Sequence, residues 1–566
     1  MLNFDTFPIT YAVPVYILCW LLLILTVWPS VLSVRWFLIS AFVLLFLLRL
    51  PSIVYNQEID ADESQIITQA MTLRLDPIYF RAVDGTTGGP LDSYFLIVPT
   101  FLGLPFDYIT AHLTAFLLLG LTLLPLFATA KLWFGPQAAR VALLPFLWLL
   151  GLTQQGDFLH YSSELIAVML LGWASYLYAG LVSSARPSLK QIALLGLLLG
   201  MVPLGKLQGT PLAGVVGLFA VMHILTYSGW TLTNKSKGLA CLILGSSLVP
   251  IAFIGFTMIY NVYGDFITFY LQANLNYSAN NDFFANLQNL PGLFRKDAGF
   301  DGLVKLTGLI WLVTLLVHGL TGREKLNWNW RVGGFLLALF FAGLYAITRT
   351  GSNYGHYLFF LVGPLLLWLA YGCHQLLLGS TIRHQAWLTA SLMAVFLLAF
   401  SFPLASRYRQ GQPLNAYPSD QQGGWQLPQS AVAKVIRQYT RAGDKLAVWG
   451  WRCDYYVQTQ LAQGVAENHT IRSCFNHPLR GLYQRRYVSD LLRSQPRVFV
   501  DAVGSHNLWM RDRATQGYES CRLLKLFIER HYQYVGLVDD SRIYVRRDRL
   551  TSPANPRPAM PLVAIH

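Results

Sequence analysis

Charge is what this chain has least of. Of its 566 residues only 12% are Asp, Glu, Lys or Arg, about half the ~25% of an ordinary soluble protein. That shortage excludes a string of soluble domains, which the length alone would suggest. Acids are scarcer still, 28 against 42 Lys and Arg. There are only six cysteines, and their spacing matches no metal-binding signature. A Gly-rich nucleotide fingerprint is missing, and no internal repeat is visible. The N-terminus lacks a basic stretch and its first apolar run continues into a second, so no cleaved signal is expected.

Apolar runs take the place of charge. The chain is 54% hydrophobic, with a mean hydropathy of +0.43. Runs of roughly 17–25 apolar residues recur, the length a helix needs to cross a bilayer. The expected fold is an α-helical polytopic membrane protein. About twelve spans are predicted, near 11–31, 35–54, 112–133, 141–154, 162–182, 191–204, 208–229, 238–260, 303–321, 332–348, 356–379 and 386–404.

The net charge of +14 invites a nucleic-acid partner. Its distribution argues against one. Alternate loops collect Arg35, Lys131, Arg140, Arg186, Lys190, Lys235, Lys237, Arg323, Lys325, Arg331 and Arg383, with Glu324 as the single acid. The positive-inside rule makes that side cytoplasmic. The other side then receives an acidic loop at 55–111, the segment 155–161, the loops 261–302 and 349–355, and the C-terminal region. Arg485-Arg486 and Arg546-Arg547 read as solvated surface that could also touch lipid headgroups or a phosphorylated substrate.

The domain division reads 1–404 as the membrane domain, 405–428 as a Pro/Gly/Gln-rich linker, 429–548 as a small extracytoplasmic α/β domain and 549–566 as a disordered tail. In the α/β domain, helices are expected over Ser430–Arg441, Gln484–Arg493 and Glu519–Arg530. Strands are expected over Lys445–Trp451, Arg497–Val503, Tyr532–Val538 and Arg542–Arg546. Cys453 and Cys474 could form a disulfide there; Cys521 would be left over.

The acids concentrate in one place. Glu58, Asp60, Asp62 and Glu63 fall within six residues just after the second span. Ionised groups beside hydrocarbon are costly, so the cluster points to function, either as a base for an acceptor hydroxyl or as part of a metal site. The plainer reading is a capping box, Asp60-x-x-Glu63, before an amphipathic helix over 64–75. That helix would turn Ile66, Ile67, Ala70, Met71 and Leu73 toward lipid. Further along, Asp84-Gly85-Thr86-Thr87-Gly88-Gly89-Pro90 offers backbone N–H groups and hydroxyls to a phosphate or sugar, or is an ordinary turn.

Other polar residues interrupt apolar sequence. His160 and Glu164 share one face if their segment is helical, as a substrate-binding pair, a helix-end pair or two ligands of a divalent metal. Lys206 and Gln208 lie between Pro203 and Pro211, and a Lys so placed needs an anion. Arg349, Tyr354 and His356 stand at the outer ends of two spans, where they could meet a phosphate or snorkel to the interface.

This set resembles the GT-C superfamily of membrane glycosyltransferases, including the protein O-mannosyltransferases and the lipid A aminoarabinose transferases. The residues carrying the resemblance are the Asp62-Glu63 pair, Thr87-Gly88-Gly89-Pro90-Leu91, the His160-to-Glu164 segment, Lys206-x-Gln208, Tyr354-x-His356-Tyr357, and Val448-Trp449-Gly450-Trp451. The resemblance implies a polyprenyl-phosphate-linked sugar donor and a glycan, lipid or protein acceptor. It implies Asp62 as base with Glu63 beside it, and an inverting displacement. Asp60, Thr87, Gly88, His160, Glu164, Lys206, Gln208, Arg349, Tyr354 and His356 would bind substrate. No cofactor is assigned, and a divalent metal stays open. The location implied is the bacterial inner membrane, with the site facing the periplasm. The competing class is a transporter or lipid flippase, which would place polar groups at mid-bilayer.

Overall fold

The computed structural model describes residue 4 and residues 10–27, 31–185, 187–279, 282–320, 329–377, 382–417 and 425–550. The predicted tail from 551, Arg186, and the loop carrying Arg323, Glu324 and Lys325 lie outside the described residues.

The chain is an integral, multi-pass membrane protein built of apolar helices. Among the described residues nine helices are long and apolar enough to cross a bilayer. One of them, Tyr108–Leu152, holds two predicted spans, because Gly135 takes a left-handed φ of 84° that turns the chain back. Two further predicted spans are the shorter helices Ala12–Val27 and Leu189–Gly205. A count of twelve crossings requires all of these.

Polar contacts fix which ends of the helices lie together. Asn56 Nδ2 donates to Asp107 (3.1 Å) and Arg49 to Leu150 O (3.3 Å), so both ends of Tyr108–Leu152 meet the end of helix Val34–Ile53. Gln137 Nε2 donates to Thr26 O (2.8 Å), and Tyr227 to Ala185 O (2.6 Å), at the opposite end of the bundle. Lys131 and Arg140 flank the Gly135 turn there. The basic loops and the acidic loop therefore occupy opposite ends.

At the acidic end sits the C-terminal domain, a five-stranded mixed sheet. Its strands are β1 (Lys445–Trp449), β2 (Ala462–Gln463), β3 (Val498–Asp501), β4 (Tyr532–Val538) and β5 (Ser541–Arg546), in the order β2-β1-β3-β5-β4. β1 runs parallel to β2 and β3, while β5 is antiparallel to β3 and β4. The β4–β5 hairpin closes on Asp539 and Asp540, both at positive φ (44° and 56°), as a two-residue turn of this hand demands. Helices Ala431–Tyr439, Arg480–Ser494 and Arg522–His531 fall where the sequence predicts them.

Two expectations are corrected. The helix Ala61–Leu73 does not face lipid: Ile66, Ile67, Ala70, Met71 and Leu73 are all buried. It lies between the bundle and the sheet domain, where Thr68 reaches Cys453 O and Thr72 Oγ1 accepts from Gln463 N (3.0 Å). An apolar stripe shows that a helix face is buried, not what covers it. Nor do Cys453 and Cys474 pair; all six cysteines are free, and these two donate to the backbone oxygens of Asn468 and Gln516.

Candidate active site

The helix Ala61–Leu73 begins at Asp60, whose Oδ1 accepts from the Asp62 N–H (2.9 Å). One residue advances about 100° around a helix, so neighbours such as Asp62 and Glu63 must face different ways. Asp62 lines a cavity of about 260 Å³ between the helical bundle and the sheet domain, together with Asp60. Its carboxylate takes no hydrogen bond from another described residue. Burial, and then the nearby Asp60 charge, push it up to about 6.

Glu63 goes the other way. It is fully buried, accepts from Ile59 N–H (2.5 Å) and lies 2.9 Å from His112 Nε2. It does not line the cavity and fastens the helix start to the bundle.

The glycines of the loop 84–90 are there for approach. A Cβ on Gly89 would lie 2.0 Å from Leu204 O, and the Gly89 N–H donates to Gly205 O (2.8 Å). The loop is thus laid against the break between helices Leu189–Gly205 and Thr210–Thr226. Thr87, Gly88 and Asp92 line the cavity, and Thr86 takes a left-handed φ of 53°, uncommon for a β-branched residue. The loop is also tied to the sheet domain, where Arg486 pairs with buried Asp84 (2.7 Å).

Lys206 is the residue at the helix break. Its Nζ lies 2.7 Å from Glu164 Oε1 and 2.5 Å from Ser163 Oγ, with both charged side chains almost wholly buried. Glu164 is therefore bound to Lys206 rather than to His160. Gln208 Nε2 donates to Ala346 O (2.7 Å).

His356 completes the cluster from the far side of the bundle. Its Nδ1 lies 2.9 Å from Asp157 Oδ1, it stacks on Tyr354 (5.3 Å between ring centres, 10°), and its Nε2 has no protein partner among the described residues. A Cβ on Gly355 would come within 2.4 Å of Asp157 Oδ2, so this pairing needs glycine there. Burial would raise Asp157, but the His356 hydrogen bond and charge hold it well below the usual carboxylate range. His160 stands 6.1 Å from His356, ring to ring, outside the cavity lining; its Nδ1 meets Gly156 O (2.8 Å). Arg49 holds this segment from inside the bundle, donating to Phe158 O (2.6 Å) and Leu159 O (2.8 Å).

A second cavity, about 340 Å³, opens on the other side of Lys206. Leu207, Pro211, Leu271, Leu275, Tyr345 and Ala346 give it an apolar wall, and Gln208 and Arg349 add polar groups. The two cavities share Thr87, Lys206, Tyr277 and Tyr357. The structure so brings together Asp60, Asp62, Thr87, Gly88, Lys206, Tyr354 and His356 on the first, with Gln208 and Arg349 on the second. Glu63, His160 and Glu164 support from behind.

Also lining the first cavity are Asp92, Asp157, Ser163 and Trp451, which stand in the segments singled out above but carry no assigned role there, and Tyr277, His469, Arg472 and Trp509, which no local pattern announces. Arg49 carries no assigned role in the sequence either, although a signal exists: an Arg deep inside the apolar run 35–54, away from the Arg35 at its start. Among the described residues no group of three or more His, Cys, Asp or Glu is placed to hold a metal.

The chain has a GT-C-like fold. ArnT from Cupriavidus metallidurans bound to undecaprenyl phosphate is 14% identical, with a TM-score of 0.52 over 92% of this chain and 99% of that one. The same protein in the apo state gives 13% and 0.53 with equal coverage. The Archaeoglobus fulgidus oligosaccharyltransferase tethered with an acceptor peptide is 10% identical, with a TM-score of 0.43 over 88% of this chain and 72% of that one. No family model matches the sequence, and no curated protein is similar to it in sequence.

Proposed function

We propose that the protein is a membrane glycosyltransferase that moves a sugar from a polyprenyl phosphate to a hydroxyl acceptor. The observation that carries this reading is a pair of cavities that share Lys206, one holding carboxylates and amides among its aromatic and aliphatic walls, the other almost wholly apolar. An apolar cavity with Arg349 and Gln208 suits a lipid ending in a phosphate. A cavity holding an unbonded carboxylate suits the acceptor. The structure with this fold that carries undecaprenyl phosphate supports the choice of carrier.

In this mechanism Asp62 takes the proton of the acceptor hydroxyl as the acceptor oxygen bonds to the anomeric carbon. The bond from that carbon to the phosphate oxygen breaks, and its electron pair leaves on the polyprenyl phosphate. Lys206, at the seam of the two cavities, meets the phosphate charge, which grows as the bond breaks, while Arg349 holds the phosphate of the bound donor. His356, held by Asp157, presents its free Nε2 to the sugar or phosphate. A single displacement inverts the anomeric centre. No nucleotide sugar is needed, which agrees with a site at the end of the bundle away from the basic loops. By the positive-inside rule that end is periplasmic in a bacterial inner membrane. A transporter or flippase would carry its polar groups at mid-bilayer, whereas these gather at one end.

The test is mass spectrometry of membrane lipids and surface glycans from cells with and without the gene, and with Asp62→Asn. The expected result is loss of one sugar and accumulation of its polyprenyl-phosphate donor in both. The variant should lose at least about 100-fold in transfer, the lower end for a general base, at unchanged protein level. Retained transfer would remove Asp62 from the mechanism. Unchanged glycans with a lipid stranded on one side of the membrane would favour the transporter.

A further inference from the structure

The sheet domain does more than cover the first cavity, because it builds one wall of it from side chains suited to sugar. β1 ends at Trp449, which is fully buried and donates from Nε1 to Gln516 O (2.8 Å). The next residue, Gly450, takes a φ of 121°, and a Cβ there would lie 2.8 Å from Asn507 Nδ2. After that left-handed step Trp451 stands at the edge of the sheet-domain core, buried on one side and lining the cavity on the other. Trp509 meets it edge to face, with ring centres 5.0 Å apart at 88°, and His469 lies 5.2 Å from Trp451.

This corner is held in place. Asn507 Oδ1 accepts from Trp509 N–H (3.3 Å) and Met510 N–H (3.0 Å), and Asp540 Oδ2 accepts from Ser505 N–H (2.7 Å). Trp509 nonetheless stays 43% exposed. With its neighbour Leu508 it forms an exposed apolar edge on the cavity. Three buried polar atoms on this wall have no protein partner among the described residues: Trp451 Nε1, His469 Nδ1 and His477 Nε2. Buried polar atoms are normally satisfied, so these mark where hydroxyls or water complete the wall.

We propose that Trp451 and Trp509 form an aromatic acceptor subsite for the sugar of a glycan, facing Asp60 and Asp62 across the cavity. The proposal rests on the glycosyltransferase reading and narrows its acceptor to a carbohydrate. An indole face covers the C–H face of a sugar ring, while the carboxylates, Gln65 and Asn476 in the same lining bond its hydroxyls. The cavity beyond Lys206, with no carboxylate in its lining, is the better match for a lipid tail. A folded protein cannot enter a space of about 260 Å³.

The experiment compares cells carrying the full-length protein, Trp509→Ala, Trp509→Tyr and Asp62→Asn, reading the missing product by mass spectrometry. It adds binding of undecaprenyl phosphate to each purified protein in nanodiscs. The expected result is a sugar lost from another sugar, about ten-fold less transfer in Trp509→Ala, and most of it restored in Trp509→Tyr. Undecaprenyl phosphate binding stays as in the unaltered protein. Full transfer in Trp509→Ala, with none in Asp62→Asn, overturns the aromatic subsite and leaves the transferase reading intact. So does loss of lipid binding in Trp509→Ala, which marks a structural role. A missing sugar traced to a protein side chain or a lipid hydroxyl overturns the acceptor class. Unchanged glycans in Asp62→Asn and in cells without the gene overturn the transferase reading itself.

Discussion

The cavity under the sheet domain sets carboxylates, amides and imidazoles among indoles, tyrosines and aliphatic side chains; its neighbour is walled by leucine, proline, alanine and tyrosine, with Arg349 as a cation. Both reach Lys206, Thr87, Tyr277 and Tyr357. The difference follows from what each can exchange with. Polar walls can lose and regain water as a hydrophilic substrate comes and goes, whereas an apolar wall gains most from hydrocarbon. A reaction between a lipid-borne group and a water-borne one has to occur where such walls meet. The charge at that seam is tied down in advance: Lys206 to Glu164, and His356 to Asp157. The Asp62 carboxylate, by contrast, has neither a hydrogen bond nor an ion pair with a described residue.

The seam is therefore the place to break the comparison. Lys206→Met should abolish transfer and also destabilise the protein, because Glu164 would be left buried without its cation, at a cost of about 3–5 kcal/mol. Lys206→Met combined with Glu164→Gln removes both charges and should recover most of the stability, but no transfer. Thermal unfolding in detergent beside a transfer assay separates the two effects. If the double variant transfers sugar, Lys206 is only a structural partner and the seam is not where the chemistry occurs.

How much of this was legible in the sequence depends on how local each signal is. The apolar runs, the acidic loop and the alternating helices and strands of the sheet domain are read within windows of a few residues, and the structure has them. Asp62 was legible too, as an acid beyond what capping explains. Its neighbour Glu63 was read with it because sequence adjacency looks like spatial adjacency, but on a helix it is a rotation that sends Glu63 to His112. Asp157 was invisible as a partner because His356 lies 199 positions away. Trp451 was noticed only as part of a familiar strand; that it lines the cavity after the Gly450 step depends on Asn507, which no local pattern announces. The amphipathic helix was assigned to lipid because hydrophobic spacing is the same against lipid as against protein.

The polar side can be sharpened through its titration. Asp62 must be ionised to accept a proton, and burial with Asp60 nearby holds it at about 6 rather than the ordinary carboxylate value. Transfer should thus be at its plateau above that pH and fall about ten-fold per unit below it, as the protonated fraction grows. Asp60→Asn removes a like charge, lowers Asp62 and moves the acid limb to lower pH. The check is the pH profile of transfer for both proteins at saturating donor. An acid limb that does not move would separate Asp60 from Asp62.

The smallest expected effect belongs to the apolar cavity. Arg349 is half-buried, and its guanidinium has no protein partner among the described residues. A lipid tail of many apolar carbons supplies most of the affinity for such a cavity, and one partly solvated cation adds a modest share. Arg349→Ala should therefore weaken polyprenyl phosphate binding by about ten-fold, the scale of one charge-assisted contact. It should leave the plateau transfer rate and the pH profile nearly unchanged when donor is saturating. Binding of undecaprenyl phosphate in nanodiscs, followed by transfer at high donor, measures both. A collapse of the saturated rate would mean that Arg349 acts on the departing phosphate as well as the bound one. The line between the lipid cavity and the reacting seam would then run beyond Lys206 to include it.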